Sequence, residues 1–424
     1  MAQLMSEGDM TNTDRFFDAL ETRDPQEREA ALMTALAAQV ATAKARSPYF
    51  AALLKDVDAD AINSRAALAR LPVTRKSDLP YLQPKSLPFG GLNGTPPGNL
   101  ARIFMSPGPI YDPEGRRPNY WRFARALYAC GFRQGEILHN TFSYHLTPAG
   151  SMMESGAHAL GCAVVPAGVG QTDLQLRAIA DIRPHGYAGT PSFLKILVDK
   201  ARQEGTDISS LTKALVTGEA FLPAMRAALR DAGITARQAY GSADLGLVAY
   251  ESEAEDGMIL EEHVIVEIVR PGTGDPVETE GEVGEVVVTL LEPDYPLIRF
   301  ATGDLSALMP GMSACGRTNG RLRGWLGRAD QVTKIRGMFV HPIQVTSAVK
   351  KHPAITKARL VVDHNGTSDD MLLEVELADG AALAEEALLD DLRASTKLRC
   401  RLEFLARGTL PDDAKTIEDR RKVG

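Results

Sequence analysis

Between residues 16 and 40 apolar side chains recur at spacings of three and four, first Phe16, Phe17 and Leu20, then Leu32, Leu36 and Val40. This spacing predicts a helical entry from Asp14 to about Leu54. The stretch from Asp78 to Asn99 is dense in proline and glycine and reads as a loop. An alternation follows. Helical patterns over Tyr120–Gly131, Met152–Leu160, Leu174–Ile182 and Ser192–Glu204 are interleaved with short apolar runs at Glu136–His139, Cys162–Pro166, His185–Ala188 and Lys213–Thr217. Such a rhythm predicts an α/β fold, a sheet covered by helices. After Gly246 the runs become shorter and β-like, at Val264–Val269, Gly284–Leu291 and Leu297–Phe300, with turn signals such as Pro271-Gly272-Thr273-Gly274 between them. Beyond Gly327 strands are expected at Val332–Ile335, Ala358–Val362 and Leu372–Leu377, and helices at Ile343–Lys350 and Ala382–Thr396. The expected division is a large domain over 1–329, with several subdomains, and a small mobile α+β domain over 330–424.

With 424 residues the chain exceeds one ordinary core, and 44% apolar with 24% charged residues is the balance of a folded globular protein. A formal charge of −8 leaves no basic footprint for nucleic acid. No run approaches the roughly 20 apolar residues that cross a bilayer, and the polar, acidic amino terminus is unlike a signal peptide, so a cytoplasmic protein is expected. Cys130, Cys162, Cys315 and Cys400 stand far apart with no CxxC pair, so they read as isolated thiols.

Four segments carry candidate chemistry: TGEAFLP at 217–223, AYGSADLG at 239–246, LIRFATGDL at 297–305 and GRADQVTKIRGMFVHP at 327–342. Taken singly each has a plain alternative. Asp304, read as ending a strand and entering a turn, can cap its own backbone as readily as it can accept hydrogen bonds from hydroxyls. In this order and spacing, however, the segments resemble the adenylate-forming enzymes, most closely their phenylacetate-CoA ligase branch. The likeness runs from SPYF at 47–50 and LPVTRKSDL at 71–79 to GTLP at 408–411. It implies a two-step reaction in which a small carboxylic acid attacks the α-phosphate of ATP, and a thiol, usually that of coenzyme A, then displaces AMP from the acyl-adenylate.

The resemblance also implies roles. Asp304 would accept hydrogen bonds from the ribose hydroxyls, with Arg328 reaching ribose or phosphate. Tyr240 would stack on adenine, beside the closely approaching backbone of Gly241 and Ser242. Gly218 and Glu219 would line the adenine and acid pockets. Asp244 stands where relatives commonly place a glutamate for Mg²⁺, one methylene shorter. Asp330 falls at the family hinge, and Lys334 in the adjacent KIRG offers a cation near the adenylate or coenzyme A. A homodimer is the assembly the resemblance suggests.

Four further departures stand out. The place of the phosphate loop, where relatives read close to S-S-G-T-T-G-K-P, is taken by MSPGPIYDPEGRR at 105–117. Pro107 and Pro109 lack an N–H, leaving Ser106, Gly108 and Ile110 as donors and Arg116 or Arg117 as the cation, so a remodelled cradle with weakened grip is expected. At the carboxyl end GTLP is followed by DDAKTIEDRRKVG, without the Gly-Lys pair whose lysine steadies charge during adenylation; Lys415 is the nearest match and Lys422 the next. Ser313-Ala314-Cys315 replaces a Cys-x-Cys pair, so no zinc is expected. In HNTFSYHLTPAG at 139–150, Tyr144 matches an aromatic position of the acid pocket, whereas His145 and Thr147 replace glycine and an aromatic residue. A polar-substituted aromatic acid, or another carboxylic acid, is therefore expected rather than phenylacetate. Two rivals stay open: transfer of the acyl group to an acyl-carrier protein or amine, and a homologue with slowed or lost adenylation that binds nucleotide or acyl-CoA.

Overall fold

Asp24 accepts hydrogen bonds from the N–H groups of Gln26 and Glu27, and Pro25 follows in the first turn, so the longest helix starts cleanly and runs over Pro25–Arg46. Ser47 ends it and caps the next helix, Pro48–Leu53, whose proline has no N–H to continue the ladder. The helical entry is thus split where the apolar spacing alone predicted continuity. The computed structural model describes residues 15–329, 333–336, 338–340, 342–364, 368–411 and 415–421. They divide into two units. One runs to Thr302 and resumes over Ser306–Trp325; the other comprises Gly303–Leu305 and the chain from Leu326.

The first unit is built on a nine-stranded sheet. Five of its strands are parallel, in the spatial order Ala163–Pro166, Ile137–Asn140, Gly186–Gly189, Lys213–Val216 and Thr235–Ser242. Intervening helices include Ala149–Ala159, Thr172–Ile182 and Pro191–Glu204, and they cover the sheet with buried positions such as Leu176, Ile179, Leu194 and Leu197. From Thr235–Ser242 the sheet continues antiparallel through Gly246–Glu251, Met258–Leu260, Arg321–Leu322 and Leu308–Met309. A second sheet orders Thr74–Arg75, Phe300–Ser306, Gly284–Leu290 and Val264–Val269. Every residue of the last two strands is buried, which fits their high content of valine and isoleucine. Arg299 is buried among them because all its charge is answered. Its Nε donates to Glu267 at 3.0 Å, and its terminal nitrogens donate to the carbonyls of Ala69, Leu71 and Gly274.

Two expectations are corrected. The strand assigned to Leu297–Phe300 begins at Phe300 and runs on to Ser306, so Asp304 lies inside a strand rather than at its end. The strand continues because Gly327–Arg328 offers an antiparallel partner, with Asp304 opposite Arg328. The stretch 105–117, read as a cradle, is mostly a β-hairpin, Arg102–Ser106 paired with Ile110–Glu114 about a turn at Pro107–Pro109. The proline-rich stretch after Asp78 also carries short helices at Leu79–Leu82, Gln83–Lys85 and Pro97–Asn99.

The second unit has a four-stranded sheet in the order Arg401–Leu405, Asp369–Leu377, Ile355–His364 and Ile417–Asp419. Leu360, Val362, Leu373 and Val375 from the sheet share a core with Leu388 and Leu392 of the helix Glu385–Thr396 and Val345 of the helix Pro342–Val349. No described helix of the chain is long and apolar enough to cross a membrane.

Candidate functional site

In the first unit three segments converge. The first is the strand Thr74–Arg75 and the short turn Lys76–Asp78 after it. The second is the hairpin, held in place by Gln83, whose buried amide donates to the carbonyl of Tyr111 at 2.9 Å and accepts from its N–H at 2.8 Å. The third is the turn between the strands Thr235–Ser242 and Gly246–Glu251. That turn needs glycine at 241, because a Cβ there would lie 2.4 Å from the carbonyl oxygen of Gly246.

At the meeting point lies Asp244, its side chain wholly removed from solvent, with Oδ2 accepting from Lys76 Nζ at 2.5 Å and from Ser242 Oγ at 3.3 Å. Asp112 of the hairpin lies against it, fully buried. Neither Asp112 oxygen has a hydrogen-bond partner among the described residues, and the same holds for Asp244 Oδ1. The Ser106 hydroxyl, which donates to the carbonyl of Ile110 at 3.3 Å, also faces Asp112. Burial above all, and then the neighbouring Asp244 charge, hold the Asp112 carboxyl well above the ordinary carboxylate range, against a smaller opposing pull from Lys76.

Other candidate positions of this unit lie along the same sheet. Tyr240 is partly buried, its hydroxyl donating to Thr302 Oγ1 at 3.3 Å, and Thr302 donates to the carbonyl of Val286 at 3.0 Å. Gly218 and Glu219 follow the strand Lys213–Val216, and Glu219 accepts the N–H of Ser192 at 2.6 Å in the first turn of the helix Pro191–Glu204. Tyr144 lies over Gly150 so closely that a Cβ on the glycine would come within 3.0 Å of its ring. Asn140 donates to the Tyr144 hydroxyl at 2.7 Å and to the Gly150 carbonyl at 2.9 Å, fixing the ring against the start of the helix Ala149–Ala159. Burial and the adjacent Glu154 raise the Tyr144 phenol above its usual range, so it stays protonated at neutral pH. His145 is exposed, and Thr147 Oγ1 donates to the carbonyl of Ser143 at 3.4 Å.

In the second unit the two residues assigned to ribose face each other. Arg328 Nη1 donates to Asp304 Oδ1 at 2.8 Å, and both side chains are mostly buried, at 13% and 16% exposure. Lys334 lies in the short strand Thr333–Ile335, and its carbonyl accepts from Arg421 at 2.9 Å. Lys415 lines a cavity of about 350 Å³ with Lys357 and Arg359, beside Leu410 and Pro411 of the GTLP turn. Asp330 and Lys422 lie outside the described residues. Among the described residues no three His, Cys, Asp or Glu side chains stand together so as to hold a metal ion. Ser313 Oγ instead donates to Asp256 at 2.8 Å and lies 3.0 Å from Cys315 Sγ. Lys76 and Asp112 went unnamed as site residues in the sequence, although both fall within stretches that carry the resemblance, LPVTRKSDL and MSPGPIYDPEGRR.

Residues 122–289, which include the Tyr240–Asp244 turn, match the AMP-binding enzyme family profile. The chain is 32% identical over 409 residues to the phenylacetate-coenzyme A ligase of Thermus thermophilus, covering 92% of this chain and 91% of that protein. The chain belongs to the phenylacetate-CoA ligase family. The Escherichia coli phenylacetate-coenzyme A ligase is likewise 32% identical, over 77% of this chain and 76% of its own length. The fold agrees with the crystal structure of 2-hydroxyisobutyryl-CoA ligase in complex with 2-HIB-AMP and CoA. Its TM-score is 0.81 at 23% identity, covering 95% of this chain and 92% of that one. As a phenylacetate-CoA ligase homologue, the protein is an ATP-dependent acid–thiol ligase that works through an acyl-adenylate.

Proposed function

We propose that this ligase activates an aromatic carboxylic acid bearing a polar substituent and passes the acyl group to coenzyme A. The observation that carries the choice of acid is Tyr144. Its ring is seated on Gly150 and its hydroxyl is anchored by Asn140, giving an aromatic wall, and His145 and Thr147 follow within the same loop. A polar group on the substrate ring can pair with the Tyr144 hydroxyl or with His145, an interaction that an unsubstituted phenyl group cannot make.

Each unit supplies a different part of the chemistry. In the first, Tyr240 offers its face to the adenine, Gly218 and Glu219 border the base and the acid, and the Tyr240–Ser242 backbone closes on phosphate. In the second, Asp304 accepts the ribose hydroxyls while Arg328 keeps its carboxylate ionised and turned. Lys415, set among Lys357 and Arg359, steadies negative charge as pyrophosphate leaves, and Lys334 does so as the thioester forms. Asp330 acts as the hinge between the half-reactions, with the mobile domain taken as 330–424 and the large one as 1–329. Magnesium accompanies ATP as part of the nucleotide. A cytoplasmic homodimer, with coenzyme A rather than a carrier protein as acceptor, completes the reading.

One observation favours a second reading, in which adenylation is slow. The hairpin turn keeps the Ser106 hydroxyl within the hairpin, and Pro107 and Pro109 offer no N–H, so Ser106 and Gly108 grip phosphate weakly. Mass spectrometry of products after incubation with ATP, coenzyme A and a panel of carboxylic acids distinguishes these. Acyl-CoA from hydroxy- or amino-substituted aryl acids, in excess over phenylacetate, supports the proposal. Acyl-CoA formed only from a supplied acyl-adenylate supports the second reading. Equal use of aliphatic and aryl acids would remove Tyr144 from its role.

A further inference from the structure

The geometry points to Lys76 as a built-in cation that takes the place of a divalent ion at Asp244, so that the turn Tyr240–Gly246 is held by an ammonium group of the chain itself. Three observations support it. Lys76 Nζ donates to Asp244 Oδ2 as a charge-assisted hydrogen bond. The Asp244 side chain has no exposed surface, whereas magnesium keeps several of its waters and demands an octahedral shell that a sealed carboxylate cannot join. Finally, Asp112 lies fully buried against Asp244, so the Lys76 ammonium group faces a pair of carboxyls, as a bound cation would.

The chain places Lys76 there for a local reason. Thr74 and Arg75 pair in parallel with Phe300 and Ala301, and Arg75 turns to Glu285 at 3.1 Å. The short turn Lys76–Asp78 that follows delivers Lys76 to Asp244, 168 residues away in sequence. On the hairpin side, Gln83 grips Tyr111 and so fixes Asp112, its neighbour. Lys76 is thus a positioning residue: it holds the carboxylate that in turn sets the turn next to Tyr240 and Ser242. A second cation at the same oxygen would stand against the ammonium at very short range.

The inference does not depend on which acid the enzyme activates, and it is tested without nucleotide or activity. The unfolding midpoint of the full chain is measured with and without millimolar MgCl₂ or MnCl₂ for wild type, Lys76→Met, Lys76→Arg, Asp244→Asn and the Lys76→Met/Asp244→Asn pair. Wild type and Lys76→Arg should be insensitive to either ion. Lys76→Met should lose several degrees and regain part of the loss with Mg²⁺ or Mn²⁺, and the double variant should no longer respond. A wild-type midpoint that rises with Mg²⁺ and ceases to do so in Asp244→Asn overturns the inference, as does a Lys76→Met protein as stable as wild type. If Lys76→Met does not fold, Mn²⁺ binding to wild type and Asp244→Asn, read from the electron spin resonance of free Mn²⁺, decides the matter. Equal binding by both supports the built-in cation, and a site lost with Asp244 refutes it.

Discussion

Two buried carboxylate clusters of the first unit differ in how completely they are answered. Glu21, in the short helix Ala19–Thr22, has both oxygens engaged. Oε1 accepts from Arg125 at 3.1 Å and from the Tyr250 hydroxyl at 2.9 Å; Oε2 accepts from Arg317 at 2.9 Å and the N–H of Phe17 at 3.2 Å. Asp244 and Asp112 together leave three oxygens without a partner and share one lysine. Both clusters are out of water, so the difference is not one of exposure. A fully satisfied network fixes a fold, here by tying the chain entry to the sheet. Buried oxygens left unanswered, by contrast, are tolerated where a site requires the geometry. The family motif falls on the second cluster, and no motif falls on the first.

This contrast can be broken at several points. The largest effect is expected for Glu21→Ala, which removes the buried carboxylate that Arg125, Arg317 and the Tyr250 hydroxyl share, leaving Arg125 to Asp18 and Arg317 to Glu253, and should lower unfolding free energy by about 3–5 kcal/mol in chemical denaturation. Lys76→Met should lower it less, by roughly 2–3 kcal/mol, because Lys76 keeps 24% of its side chain in solvent and Asp112 can hold a proton. Should Lys76→Met prove the more damaging of the two, the Asp244 cluster is a structural keystone like Glu21 and not a poised site. Asp304→Ala acts on binding rather than on the first unit. Loss of a charged acceptor should weaken AMP affinity by about 1.5–3 kcal/mol in calorimetry, and unchanged affinity would remove Asp304 from the ribose. Smallest is Asp112→Asn. It replaces a carboxyl whose burial disfavours its charge with a near-isosteric amide and should alter stability by less than about 1 kcal/mol, where a loss as large as that of Lys76→Met would show a charged Asp112.

How far the sequence reveals these features depends on the range of the forces involved. Amphipathic helices such as Pro191–Glu204 and the valine-rich strands Val264–Val269 and Gly284–Leu290 are legible because their patterns are local. The motif order that singles out Asp304, Arg328 and Tyr240 as candidates is legible too, although nothing local says that Asp304 and Arg328 are register partners 24 residues apart. The hairpin was obscured by its own residues, since Pro107, Pro109 and Pro113 mask the alternation of Arg102–Ser106 and Ile110–Glu114. Lys76 and Asp112 were illegible as a pair with Asp244 because their meeting depends on three segments packed by tertiary contacts.

The most direct measurement is exchange of labelled pyrophosphate into ATP by the wild-type protein, with and without each member of a carboxylic acid panel. The account predicts exchange that depends on a substituted aryl acid and is weakened in Asp304→Ala, however slow the absolute rate. Exchange with none of the acids, from a protein that also makes no acyl-CoA, would contradict it.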